Sequence, residues 1–245
     1  MTNDVLTGSG LEEWMNRLEA DLEESGSSAA AHLLERLRER PLRADSLEAI
    51  GRLHSLWMQA GDAEAARAVI DVDGAALAQA ALPAEQADLA TQLALYRLQI
   101  AEYLDEEAAM RSALTQLRAL TAQPGLHPER FFQTQIFDKL EHNRLEIALA
   151  AIALRHALEE AIPERAPYRA WDAAICQARS ALALSRHEQR DKAKEAAGQA
   201  IAALKTAASD QDVDEKDWLR LGDALIEIAP ERLEDFRLPV TTLTQ

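Results

Sequence analysis

The sequence predicts an all-α protein made of antiparallel helix pairs, and three observations carry that prediction. Of 245 residues, one in five is alanine, while Gly (9) and Pro (8) are scarce and aromatics make up only 4%. Ala, Leu, Glu and Arg favour helix, and the β-branched and aromatic strand formers are few. Apolar residues recur at three- and four-residue steps, the period of one helical face. Short breaks marked by Gly, Pro or Ser separate the periodic stretches, and consecutive helices joined by tight turns pack antiparallel. The same arithmetic disfavours a β-sandwich, a Rossmann fold and a disulfide scaffold.

The elements follow in order. Residues 1–9 read as a flexible lead. Leu11, Met15, Leu18 and Leu22 line one face of a helix over 11–24, broken by Ser25-Gly26-Ser27-Ser28. Ser28 can cap a second helix over 29–40, stopped by Pro41, so 10–40 form an N-terminal hairpin. Ser46 opens a helix over 47–60, Gly61 closes it, and Asp62 caps the next over 63–70. Within 71–83, Val72-Asp73-Gly74 is turn-like, while 75–82 fit a short helix. Leu89, Leu93, Tyr96, Ile100 and Tyr103 then share one helical face. Asp105 starts a partner helix carrying Met110, Leu114, Leu117 and Leu120, ended by Gln123-Pro124-Gly125. Pro128 suits a first turn, and no Gly or Pro interrupts from there to 162; His142-Asn143 is the expected bend. Pro163 and Pro167 bracket a loop. Helices fit 168–187 and 190–208, an acidic turn covers 210–214, and a last helix over 215–229 stops at Pro230. One helical domain is thus expected over 10–236, with pairs over 47–208, a capping helix over 215–229 and a tail over 237–245.

Charge narrows the class of partner. The formal net charge is −16 with a pI near 4.8. Residues 1–123 carry 21 acids against 10 bases, residues 124–208 carry 11 against 12, and residues 209–245 carry 10 against 4. Such a surface repels nucleic acid and anionic lipid and suits a basic partner. A lone cysteine, Cys176, allows no internal disulfide and reads as a small apolar helix residue. No signal peptide is expected from the first ten residues, and the longest apolar run, 147–154, is far short of a membrane span. The expected location is the cytoplasm. Arginine outnumbers lysine 21 to 5, which with the alanine content is a bacterial, GC-rich composition.

Internal repetition is the next signal. Ile50, Leu53, His54 and Trp57 precede Gly61-Asp62, and Ala66 and Ile70 follow in the second helix. Echoes run through Leu93, Tyr96 and Ile100 before Asp105 to Ala109, Phe132 and Ile136 before Asn143 to Leu149, and Leu184 before Arg190 to Ala193. Trp218-Leu219-Arg220-Leu221-Gly222-Asp223-Ala224-Leu225 matches a first-helix motif near the end. This resembles a degenerate tetratricopeptide (TPR) repeat, W-x₂-L-G-x₂-Y followed by Gly-Asp and a small contact residue. His54 stands where that pattern wants Gly, and no proline closes the unit. The contact alanines fall at 66, 109, 148 and 193, spaced 43, 39 and 45 rather than a regular 34. The resemblance implies a stacked α-solenoid; an irregular helical bundle is the alternative.

Catalytic and metal motifs are absent from the sequence. None of the six histidines follows a Glu by three residues, and there is no His-Glu-x-x-His, no Gly-x-Gly-x-x-Gly, no phosphate-binding Gly-rich loop and no Gly-x-Ser-x-Gly. No metal or cofactor is expected. His142 with Glu141 and Glu146 reads as a solvated bend, and Arg186 to Lys194 as an ion-paired helix start. The four tryptophans read as packing residues. Function is therefore expected to be non-enzymatic: a scaffold, such as an adaptor, secretion chaperone or immunity protein, holding a partner protein or peptide in a concave groove. The resemblance places Glu48, Ser55 and Gln59 in that groove, with Arg130, Gln133 and Glu141 further along. Gly51 and Ser55 stand where the family's carboxylate clamp has Lys and Asn, so that clamp is not expected. The alternative is a helical-bundle enzyme or small-ligand sensor with a scattered site.

Overall fold

A computed structural model describes residues 8–25, 35, 37, 38, 42–83, 85–121, 135–210, 222 and 225–231. The chain divides into two compact units, residues 1–126 and 127–245. Among the described residues the fold is all-α, with no β-sheet.

In the first unit, α1 spans Gly8–Ser25, α2 Leu47–Gln59, α3 Ala63–Ala80, α4 Gln86–Tyr103 and α5 Glu107–Leu120. α1 begins within the expected lead, because Leu11, Met15 and Leu18 bury a stripe that draws its first turn into helix. The expected helix over 29–40 lies mostly outside the described residues. Two of the three expected caps are made: Ser46 Oγ accepts from Ala49 N at 3.2 Å, and Asp62 Oδ1 from Ala65 N at 3.0 Å; Ser28 lies outside the described residues. α2 packs on α3, α4 on α5, and α4 lies against both helices of the preceding pair. Ile50, Leu53, Ala66, Ile70, Leu93 and Ile100 form the centre of the core, with Trp57 and Tyr96 half-buried on it.

Where the sequence suggested a turn at 72–74, α3 runs straight through to Ala80. Two contacts explain it. Gly74 is buried because α4 approaches closely: a Cβ there would lie 2.8 Å from Leu93 Cδ2. Asp73 is buried because its carboxylate accepts from Ala44 N at 3.3 Å and from Arg43 Nη1 at 3.2 Å, pinning the segment that leads into α2. Residues that usually mark turns here serve packing and satisfaction of a buried backbone donor.

In the second unit, α6 spans Ile136–Leu140, α7 Leu145–Ala161, α8 Arg169–Arg186 and α9 Arg190–Asp210, with a 3₁₀ helix over Pro163–Tyr168. The expected bend at His142-Asn143 is a full break over 141–144, closed by His142 N to Lys139 O at 3.1 Å and Asn143 N to Leu140 O at 3.0 Å. α8 and α9 meet along an alanine seam: Ala174, Ala178, Ala181, Ala197 and Ala200 are wholly buried with Ile201 and Leu204. Small side chains let the two backbones approach closely. Most of the expected last helix lies outside the described residues, but Leu225 and Ala229 complete this core.

Three of the tight turns are alike. Gly61, Asp105 and Glu188 take left-handed φ of 75°, 54° and 59°. Each is followed by a residue whose N–H reaches back five positions: Asp62 to Trp57, Glu106 to Ala101 and Gln189 to Leu184, at 2.9 to 3.0 Å. This is the Schellman closure of a helix. Counting five residues on from each turn gives Ala66, Met110 and Ala193, at 0%, 0% and 1% exposure. The contact position in the second pair is therefore Met110 and not Ala109, which is half-buried. Asp105 and Glu188 hid the register because neither is the glycine such a turn favours. Glu188→Gly is expected to stabilise the protein by about 0.5–1 kcal/mol, since glycine removes the left-handed strain. A urea midpoint unchanged or lowered would contradict that.

Candidate functional site

The exposed face of α2 carries three of the expected groove residues. Glu48, Ser55 and Gln59 are all exposed, at spacings of seven and four that keep them on one stripe. Glu48 also borders a cleft of about 280 Å³ between α1 and the start of α2. Its floor is Leu11, Met15 and Ala49; its walls are Glu12, Asp45 and Glu48, with Arg52 at one edge, where Nη2 donates to Asn16 Oδ1 at 2.7 Å. Three carboxylates around an apolar floor suit a cationic side chain with an aliphatic stem. Arg130 and Gln133 lie outside the described residues.

Glu141 faces a different setting. It ends α6, is only 14% exposed in its side chain, and lies 3.4 Å from Arg155 and 3.6 Å from Arg179. Its backbone oxygen accepts from Arg186 Nη1 at 3.1 Å. This position is turned inward and paired, which the sequence reading of an outward groove residue did not foresee. The break after Glu141 makes the difference, because it folds α7 back beside α6 and brings Arg155 to Glu141; in a continuous helix, at 1.5 Å per residue, the two would lie about 21 Å apart. His142 stays exposed, its Nδ1 donating to Asp138 O at 2.9 Å.

Around Glu141 the second unit gathers charges that sequence reasoning missed. Arg155 of α7 meets Asp138 at 3.0 Å and Glu159 at 3.5 Å as well as Glu141. Burial pushes the Glu159 carboxyl above its usual range, against the pull of Arg179 and Arg155. Burial also raises the Cys176 thiol, and Glu159 adds to it. Cys176 packs half-buried on Ala148, Ile152 and Ala183, consistent with an apolar role. Nearby, the guanidinium of Arg165 makes a two-pronged pair with Asp172, whose carboxylate is 3% exposed; Nε to Oδ2 is 2.9 Å. The signal that could have found this cluster is four-residue spacing of Arg155 and Glu159 beside Leu154 and Leu158, which puts charge on the edge of a buried stripe.

A second surface groove, of about 240 Å³, runs over α4 between α3 and α5, floored by Ile100, Ala101 and Ala113. Its rim is closed by Arg67 to Glu106 at 2.7 Å and Arg97 to Asp71 at 3.4 Å. Among the described residues, no three His, Cys, Asp or Glu side chains are gathered so as to hold a metal ion, and no helix is long and apolar enough to cross a membrane. No family model, curated protein or solved structure matches the chain.

Proposed function

We propose that the protein is a TPR-like scaffold that holds a basic segment of another protein against the outer face of α2. The observation that carries this reading is the cleft walled by Glu12, Asp45 and Glu48, continuous with the exposed Ser55 and Gln59 stripe on α2. The repeated Schellman turns and the acid excess of residues 1–123 support it. A cytoplasmic adaptor, secretion chaperone or immunity protein of a bacterium fits that description.

The test begins with a pull-down from the native host, identifying the partner by mass spectrometry. Association of the purified pair should then slow severalfold as salt rises, because the Debye length shrinks from about 10 Å at 0.1 M to 3 Å at 1 M. Glu48→Lys should weaken the complex further while leaving the far-ultraviolet helical signal intact. A complex indifferent both to salt and to this reversal would reject the cleft as its site.

A second reading has its own observation. Groups displaced from their usual ionisation, Glu159 and Cys176, lie together beside Arg155 and Arg179 in the second unit. Such clustering also marks ligand and catalytic sites. This reading is a small-ligand sensor or enzyme built in a helical bundle. It predicts that a small anionic or polar compound raises the melting temperature, and that Arg179→Ala abolishes the rise while Glu48→Lys does not.

A further inference from the structure

His54 is an unusual residue for the centre of a helical joint. It is 4% exposed, and among the described residues neither ring nitrogen has a hydrogen-bond partner. Its ring lies on that of Tyr96, with centroids 4.5 Å apart and planes inclined by 30°. The contact links α2 to α4, so it sits where the pair α2–α3 meets the pair α4–α5. Gly51, one turn before His54, makes room for the Tyr96 hydroxyl, which occupies the space a Cβ would need.

The opposite side of the same joint is held differently. Arg67 of α3 reaches Glu106 at the start of α5, and Arg97 of α4 reaches Asp71 of α3. Those pairs are partly solvated. We propose that this joint is an acid-sensitive hinge: a proton on His54 places an uncompensated cation between the helix pairs and opens them on the His54–Tyr96 side.

The charged surroundings bear this out element by element. From α1, Asn16 meets Arg52 and not His54. On α3, Asp62 caps its own helix, Asp71 faces Arg97, and Asp73 faces Arg43 and Ala44 N. Facing it from α4 is Tyr96, whose own burial raises its phenol and keeps it neutral. Burial lowers His54 to about 4 from 6.5, with no carboxylate among the described residues offsetting it. Attraction of a cation to the Tyr96 face returns only part of that cost. The sign is therefore fixed. The open form binds the proton more tightly, so closure is favoured above pH 6.5 and is lost progressively down to about pH 4. Opening exposes α2, the helix that carries Glu48, Ser55 and Gln59, so acid would remodel that surface whatever it holds.

The test uses the full chain and hydrogen exchange, corrected for the intrinsic rate, at pH 7.5 and 5.0. Linkage predicts that opening of α2 and α4 amides rises about 30-fold between these values through His54 alone. His54→Phe keeps a stacking ring without the proton and should remove that component; His54→Gln, neutral throughout, should remove it too if the Phe variant does not fold. A pH dependence equal to wild type in the folded variant would overturn the proposal. So would wild-type protection at α2 and α4 that does not change with pH.

Discussion

Phe137→Ala is expected to destabilise the second unit by about 3–5 kcal/mol, the cost of truncating a wholly buried aromatic. Phe137 is 2% exposed and, among the described residues, is the bulkiest of the fully buried side chains. It sits on α6, which has five residues and cannot persist by its own backbone bonding. Ile136, Phe137 and Leu140 are its buried anchors, so losing the ring removes much of what holds α6 on α7. The charge cluster should suffer with it. Asp138 and Glu141 flank the anchors and both meet Arg155. Urea unfolding measures the total, and limited proteolysis between residues 135 and 145 reads the local release. Phe137→Leu, which keeps most of the volume, should cost less than half as much. A loss below about 1 kcal/mol for the alanine variant would mean that α6 is not anchored through this ring.

Periodicity made most of the helices legible, because each must bury one stripe. Leu89, Leu93 and Ile100 are buried as that stripe requires, and Ser46 and Asp62 cap where a side-chain oxygen precedes three free N–H groups. Sequence reading failed where a residue's usual local preference was overridden by a contact from a distant element. Gly74 is such a case, since Leu93, from another helix, makes its smallness necessary. His54 is another: a missing glycine in the repeat pattern is in fact a ring stacked on Tyr96. The polar cluster was hidden for a related reason. Arg155, Glu141 and Arg179 come from three segments, and a one-dimensional pattern does not say which charges converge. Glu48, Ser55 and Gln59 are exposed on one stripe, because a single helix fixes their relation.

Arg165→Ala is expected to cost about 2–4 kcal/mol. Removing one partner of a buried ion pair strands the other, and Asp172 is 2% exposed with Arg165 as its two-pronged partner. The lower end of that range allows for the Arg165 side chain being 40% exposed, so that water enters where it leaves. The pair ties the 3₁₀ segment Pro163–Tyr168 to the first turn of α8, and the half-buried Trp171 beside it gives a fluorescence readout. The loss should also depend on pH. Arg165 is one of the cations that lower the raised Glu159 carboxyl, so its removal moves that carboxyl further up from 4.5. A raised carboxyl pKa means the folded state holds the proton more tightly, and stability falls as pH rises from 4.5 through the folded value. Arg165→Ala should therefore be more damaging at pH 7.5 than at pH 5. Replacing both partners, Arg165→Met with Asp172→Leu, should recover most of the stability, because no charge is left stranded. If the double replacement were as unstable as Arg165→Ala alone, the aliphatic stem of Arg165, and not its charge, would be holding the segment down.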